Sequence, residues 1–501
     1  MDEIKILLKL SDRLKGPNDD NNQNKVHLFE KTIRDNIEQS EEEIKKLLFP
    51  KKKNNNYYGV LKTRLHQDLY NRILIDSGKK ENVNNRLNQL FEIQRKFIVA
   101  SILNEKNERV VSIKMMEKLF KQSTKWDYTL YTMLISKVLF AHYAFIEPNK
   151  YKMQQYKSAF EDSEQLFIFE NKINTINAEI SHLYQLNRSG FINKNLEILK
   201  KMMQDVISIH GKYESYSIKI YTYDLIAFYY LTIREYNMVI KISEEGKKYF
   251  SSKIFHDTRG IINNNINIIN ANIYKGSLNE ALTILTETVK LLTVGSRVWV
   301  RLKSSEFIIY TLQNNYNALY NVYMETKTKL TLDIQIEEWL IRSAYIHFLH
   351  RLGKIQYQSP QDKKQDSFVL SKFLNSVPFY TKDKSGLNIS IIIIQILFYF
   401  LDKKWDKVLD KIDGLKQYSF RYLTKDESMR SNCFIKMLIS AEKASFNRQL
   451  TITYTKSLYE KMIESPYVLS ESSAFVEVVP YETLWELTLE LLPHGSKRAM
   501  W

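Results

Sequence analysis

The chain has 501 residues, 44% hydrophobic and 13% aromatic, with 73 Lys and Arg against 57 Asp and Glu for a net charge of +16. That length and apolar content exclude wholesale disorder and a single small core. One cysteine, Cys433, excludes an internal disulfide framework or a cysteine-cluster zinc site, and 13 glycines with 8 prolines are too few for the turns of a sandwich or barrel.

The first fifteen residues mix Asp2, Glu3, Lys5 and Lys9 among apolar side chains, which is not the pattern of a signal peptide. With the lone thiol, this sets the expectation of a cytoplasmic protein. The N-terminal region, 1–145, reads as helices broken by polar stretches at 16–24, 51–58 and 76–83. The run Lys51-Lys52-Lys53-Asn54-Asn55-Asn56 offers no apolar face and reads as a loop. No helix-turn-helix pattern is present in this region.

Residues 150–186 read as one long helix, after which a repeat begins. In a tetratricopeptide hairpin a first helix ends in a small turn, and a second helix packs a small or aliphatic residue back against it. Gly276-Ser277-Leu278-Asn279-Glu280-Ala281-Leu282 has this form, with weaker copies at Gly190, Arg234, Asn314, Gly353 and Lys404. Successive turns lie 44, 42, 38, 39 and 51 residues apart, the last step holding a polar loop at 356–366. Ile218, Tyr221, Leu225 and Phe228 fall at helical spacing and place a broad apolar stripe on one face of one such helix. The division is therefore 1–145 N-terminal helices, 146–356 degenerate tetratricopeptide-like repeats, and 357–501 a C-terminal helical region and cap. The class is all-α, a tetratricopeptide-like α-solenoid of antiparallel hairpins.

In the C-terminal part a short helix ends before Pro378, a charged turn covers 381–386, and an apolar helix follows at 387–401. That last run is too short and too polar to span a bilayer. Glu477-Val478-Val479-Pro480-Tyr481 reads as extended, and a final helix opens at Tyr481. The stretch 476–492 is expected to fold back as a cap.

The stretches 372–378, 381–389, 421–423, 430–438 and 480–486, with Glu338-Trp339 and Ala344-Tyr345 before them, resemble an uncharacterised family of bacterial, Bacteroidota-type, tetratricopeptide-like helical-repeat proteins. The resemblance is clear over roughly 335–492. It implies the fold and a bacterial cytoplasm, and carries no catalytic residues.

Charge is uneven: residues 51–150 sum to +10, residues 351–450 to +8, and residues 151–350 to +3. Much of the Lys, Asn and Ile richness fits an AT-rich coding genome, and a solvated basic face is the simplest reading of the excess. The two basic blocks nevertheless keep open a nucleic-acid-binding array. Within the second block, Lys382, Lys384, Arg421 and Arg430 form the candidate partner-binding set, since arginine takes planar anions in bidentate fashion. The competing reading pairs them internally with Asp410, Asp413, Asp426 or Glu427.

Arg342-Ser343-Ala344-Tyr345-Ile346-His347 has the Arg-x4-His spacing that resembles the active motif of HEPN-type ribonucleases. There an arginine stabilises phosphate charge and a histidine moves the proton. Five helical steps place the two side chains about 140° apart, so a pair on the surface of a repeat helix is the expected reading. His347 and His350, with Glu337 and Glu338 upstream, lack a metal motif. No phosphate-binding glycine loop and no nucleophile elbow occurs. The sequence thus leads to a non-enzymatic interaction protein that holds a protein or peptide along 190–430, with no catalytic residue, metal, cofactor or membrane span.

Overall fold

A helix reverses within three residues when one of them takes left-handed backbone, because its N–H and the next turn back onto the last carbonyls of the helix. The computed structural model repeats that device along the chain. It describes residues 2–12, 25–49, 55–76, 86–186, 191–253, 255, 258–330, 333–356, 368–376, 387–422, 429–464, 477 and 479–493. Among these, all regular structure is helical, in 22 helices. The chain forms two compact units, Met1–Ile168 with Lys253–His256, and Phe169–Ser252 with Asp257–Trp501.

In the first unit, α1 (Asp2–Asp12), α2 (Lys25–Asp35), α3 (Glu41–Leu48) and α4 (Asn55–Asp76) share a core of Ile4, Leu8, Phe29, Ile33, Ile44, Leu61, Leu65 and Leu69. A capping box starts α3: Glu43 N–H donates to the Ser40 hydroxyl at 3.3 Å, and Ser40 N–H donates to the Glu43 carboxylate at 2.7 Å. Glu30 is buried yet accepts from Arg34 and Arg72, so its charge enters the core paired. The polar break expected over 51–58 is shorter than the sequence suggested. Residues 55–58 form the first turn of α4, because the Tyr58 ring packs edge-on against Phe29 at 5.4 Å.

Three further helices, α5 (Arg86–Glu105), α6 (Arg109–Lys125) and α7 (Thr129–Phe145), follow as consecutive packed neighbours. α8 (Lys150–Leu186) has the bounds read from the sequence and begins in this unit. Glu117 of α6 accepts from both Tyr143 Oη and Lys152 Nζ at 2.8 Å, joining three helices. Phe255 stacks on Trp126 at 5.6 Å.

The second unit continues with α9 (Phe191–Lys212), α10 (Tyr216–Thr232), α11 (Tyr236–Ser252), α12 (Thr258–Lys275), α13 (Leu278–Val289), α14 (Arg297–Leu312), α15 (Tyr316–Lys327) and α16 (Asp333–Arg351). It closes with α17 (Leu370–Ser376), α18 (Leu387–Leu401), α19 (Trp405–Tyr422), α20 (Met429–Lys443), α21 (Arg448–Glu464) and α22 (Tyr481–Leu491). From α9 to α16 each helix packs on the next; α16 then packs on both α17 and α18, and the sequential pattern resumes to α21. α22 returns onto α18, α20 and α21. One core runs from Trp299 to Leu492 without a break at 356–357, where the sequence reading placed a boundary. Glu477 and Val479, expected to be extended, lie buried in a short non-helical segment, and no strand occurs among the described residues.

Left-handed residues sit at Asn107, Asp127, Arg234, Gly276, Asn314, Gly353, Lys403 and Ser445, with φ from 50° to 79°. In the turn at Arg234 its own N–H donates to Leu231 O at 3.2 Å, and Glu235 N–H donates to Tyr230 O at 2.8 Å. The same pair of bonds recurs at Gly276, Asn314, Gly353 and Lys403. Four of the turns expected from sequence fall on the left-handed residue itself. The fifth is Lys403 rather than Lys404, and Gly190 lies outside the described residues. Five residues past the turn a buried side chain recurs at Ser112, Thr132, Val239, Ala281, Leu319 and Val408. Seven residues before the turn, buried Ala100, Ala227, Ile269, Phe307 and Ile396 occupy the facing helix. The helices approach closely at this crossing: Ser112 Oγ donates to Ala100 O at 2.7 Å. The α11–α12 pair is tighter still, since a Cβ on Gly260 would lie 2.4 Å from the Phe250 ring.

These turns make opposite predictions for opposite substitutions. Gly276 has open space around it but φ of +79°, so Gly276→Ala loses about 1 kcal/mol through backbone strain alone. Arg234→Gly and Lys403→Gly relieve that strain and gain a similar amount. Urea denaturation of the three variants checks the pattern; a loss in all three would show that side-chain packing, not backbone, governs the turns.

Candidate partner-binding surface

Of the four basic residues proposed from sequence, Lys382 and Lys384 lie outside the described residues, as does the Arg421 side chain. Arg430 is an internal residue, which corrects its assignment to an external anion. Its Nε donates to Glu477 Oε2 at 2.9 Å, Nη2 to Glu477 Oε1 at 2.6 Å and to Glu482 Oε2 at 2.5 Å, and Nη1 to Met462 O at 3.0 Å. Burial alone would lower the guanidinium pKa, but the hydrogen bonds and charge of Glu477 and Glu482 outweigh it and raise it. The carboxylate partners described are Glu477 and Glu482, at the entry of α22; Asp426 and Glu427 lie outside the described residues. Glu477 also accepts the Tyr481 N–H at 2.8 Å, so this ion pair holds the start of the last helix.

Arg342 and His347 are buried, correcting the expectation of a surface pair. Residues 341–349 are buried on every side, because α16 lies against α15, α17 and α18. The Arg342 guanidinium sits 5.1 Å over Trp339 and 5.4 Å over Phe307, while the His347 ring stacks on Phe368 at 4.6 Å. The two side chains therefore meet different surroundings. Cys433 is buried, and burial raises its thiol pKa. Among the described residues no group of three or more His, Cys, Asp or Glu could hold a metal ion, and no helix is long and apolar enough to cross a membrane.

The sequence reading missed a polar face on α10, α12 and α14, the helices that precede the turns at Arg234, Gly276 and Asn314. On α12, Ile262, Ile266, Ile269 and Ile273 point into a core shared with Ala281, Leu285, Leu302 and Ile309. One residue on, at the same spacing, Asn263, Asn267, Asn270 and Tyr274 are half-buried and form the edge of the outward face. Two of these amides cross to the neighbouring helix: Asn263 Nδ2 donates to Asp224 Oδ2 at 2.9 Å, and Asn267 Nδ2 to Asp224 Oδ1 at 3.2 Å. Burial pushes the Asp224 carboxyl up to about 6, against the pull of both amides and of Arg259 and Arg301. Thirteen residues before each turn stand Tyr221, Asn263 and Arg301; seventeen before stand Ser217, Arg259 and Arg297. The three arginines are exposed, and Tyr221, Asn263 and Ser217 are half-buried. Constant register thus lines up a row of amide, aromatic and guanidinium groups across three helices.

No family model, curated protein or solved structure matches the chain. Geometry alone therefore marks the site. Amide and guanidinium groups on rigid helices are suited to hydrogen-bonding peptide carbonyls and carboxylates, and a half-buried tyrosine supplies apolar area at small entropic cost.

Two outcomes are expected. Arg430→Met leaves Glu477 buried without its partner and lowers the unfolding free energy by about 3–5 kcal/mol in chemical denaturation, whereas adding Glu477→Leu restores most of the loss. At Asp224, folding takes up a proton between the unfolded carboxyl value near 4 and about 6. This group's contribution to stability therefore falls as pH rises through that window. Asp224→Asn removes the slope, so its melting temperature gains on the wild type between pH 4 and pH 7. Parallel melting curves would mean that the buried carboxyl does not titrate in that window.

Proposed function

We propose that the second unit is a tetratricopeptide-like array of antiparallel helix pairs whose α10, α12 and α14 face holds a protein or peptide partner, the chain acting as a non-enzymatic scaffold. The observation that carries this reading is the row on successive helices at fixed distance from their turns: Ser217, Arg259 and Arg297 beside Tyr221, Asn263 and Arg301. Helices packed only for stability would carry unrelated exposed residues at such positions. Here the row concentrates three arginines, while Asp224 is tied to asparagines.

The preferred partner segment is extended and carries acidic side chains. Asn263 and Asn267 keep their side-chain oxygens for peptide N–H groups after donating to Asp224, and the arginines fit carboxylates in bidentate geometry. The resemblance to bacterial helical-repeat proteins, and the cytoplasmic setting it implies, belong to the same proposal. A scaffold needs no further chemistry from these residues.

Affinity capture from the native cell, followed by mass spectrometry, tests the reading. Arg259→Glu with Arg301→Glu is expected to reduce recovery of the specific partner about tenfold, equivalent to about 1.4 kcal/mol, with unchanged helicity. Identical recovery by wild type and variant would place the partner elsewhere.

A further inference from the structure

Helix α6 of the first unit presents an exposed arc of a single charge. Lys114, Lys118, Lys121 and Lys125 recur at intervals of four, three and four residues, and all four are exposed. At 100° per residue they fall within an arc of about 60°, and they span about 16 Å along the axis. The opposite side of α6 is interior, with Ser112, Ile113, Met116, Leu119 and Ser123 buried. The face is therefore fixed by packing. Glu117, on the flank of the arc, is committed to Lys152 and Tyr143, although it also feels the charge of Lys121. Among the described residues none of the four lysines forms an ion pair.

We propose that this lysine row is a docking surface for the phosphodiester backbone of duplex DNA. Charge complementarity carries the assignment. Duplex DNA presents one negative charge per roughly 1.7 Å of axis, so the length of the row faces a nearly continuous line of phosphates. Four like charges held on one rigid helix repel each other until such a polyanion replaces their counterions. Residues 51–150, which include α6, sum to +10, so the surrounding field attracts the same partner.

The residue types decide among anionic partners. An acidic protein would be better met by arginine, which takes carboxylates bidentately, and protein interface cores are depleted in lysine. Single-stranded nucleic acid is held largely by aromatic stacking, and no aromatic residue lies within the lysine arc. Recognition of duplex RNA relies on 2′-hydroxyls that both donate and accept across a wide, shallow minor groove, and a row of ammonium donors can meet only the accepting half. This surface lies in the first unit and is independent of the arginine and asparagine row on α10, α12 and α14.

The test is fluorescence anisotropy of the full chain with a labelled random-sequence DNA duplex, titrated between about 50 and 200 mM salt. A variant carrying Lys114→Gln, Lys118→Gln, Lys121→Gln and Lys125→Gln keeps helix propensity while removing the row. Its slope of log affinity against log salt is expected to become shallower by about 3 to 4, near 0.9 for each phosphate that is no longer neutralised. A control variant with Lys241, Lys248, Lys290 and Lys436 changed to Gln removes the same charge from exposed positions of the second unit, and should change the slope by less than about 1. Equal changes in both variants would reduce the effect to net charge and overturn the site. Tighter binding of single strands or duplex RNA, or equal displacement by polyglutamate of matched charge, would overturn the assignment to DNA.

Discussion

A helix end has to satisfy its last carbonyls and send the chain somewhere, and here one left-handed residue does both. Its N–H and the next bond back to the helix, and the following helix starts within a few residues and packs against it, except after Gly353, where residues 357–367 lie outside those described. Such a short connection leaves little freedom in register. That is why a buried residue five positions after the turn faces a buried one seven positions before it at Asn107, Arg234, Gly276, Asn314 and Lys403. Only two of these eight turn residues, Gly276 and Gly353, are glycine. Asparagine and aspartate tolerate this backbone, but Arg234, Lys403 and Ser445 carry a Cβ that opposes it. Their strain persists because crossings such as Ala227 with Val239 hold the geometry from outside the turn.

Fixed register also sorts the charges. A helix packed on two or more neighbours has one narrow arc left for solvent, and whatever stands there is displayed at a constant angle. Arginine occurs in two physically different settings as a result. Arg430 is enclosed, donates to Glu477, Glu482 and the Met462 carbonyl, and ties the entry of α22 to α20. Arg259, Arg297 and Arg301 stand on exposed arcs, and a guanidinium is the side-chain group whose planar fork best matches a carboxylate. The lysines of α6 form a third setting, exposed point charges without directional preference.

The turns were legible because glycine, asparagine and the small residue after them leave a local signature; Gly276 to Ala281 contains both parts. Long helices such as α8 were legible from periodicity alone. What the sequence could not supply was orientation across long separations. Arg430 finds Glu477, 47 residues away, only because α22 returns over α20, and no local pattern announces that path. Arg342 and His347 were misjudged as surface residues for the same reason: α17 and α18 close over a helix whose own pattern shows no apolar stripe. The short polar break before α4 was overestimated because Tyr58 buries a ring that the lysine and asparagine run beside it disguises.

The asparagines of α12 show how composition and position separate. Six of its eighteen residues are asparagine, and each costs about 0.6 kcal/mol of helix propensity relative to alanine. Composition alone says only that asparagines are many, not where they stand. Those turned inward are paired through their amide nitrogens only: Asn264 Nδ2 donates to Gly260 O at 2.8 Å, and Asn265 Nδ2 to Thr288 Oγ1 of α13 at 3.0 Å, while both side-chain oxygens are buried without a partner among the described residues. At the outward edge, Asn263 and Asn267 reach across to α10 and hold Asp224. A helix built for stability alone would have used alanine or leucine at Asn263 and Asn267, and Asp224 would then have lost two of its donors while remaining in a setting that already raises its pKa. The isoleucine face and the close approach of Gly260 to α11 anchor α12, so its asparagine edge can specify what the neighbouring helices display.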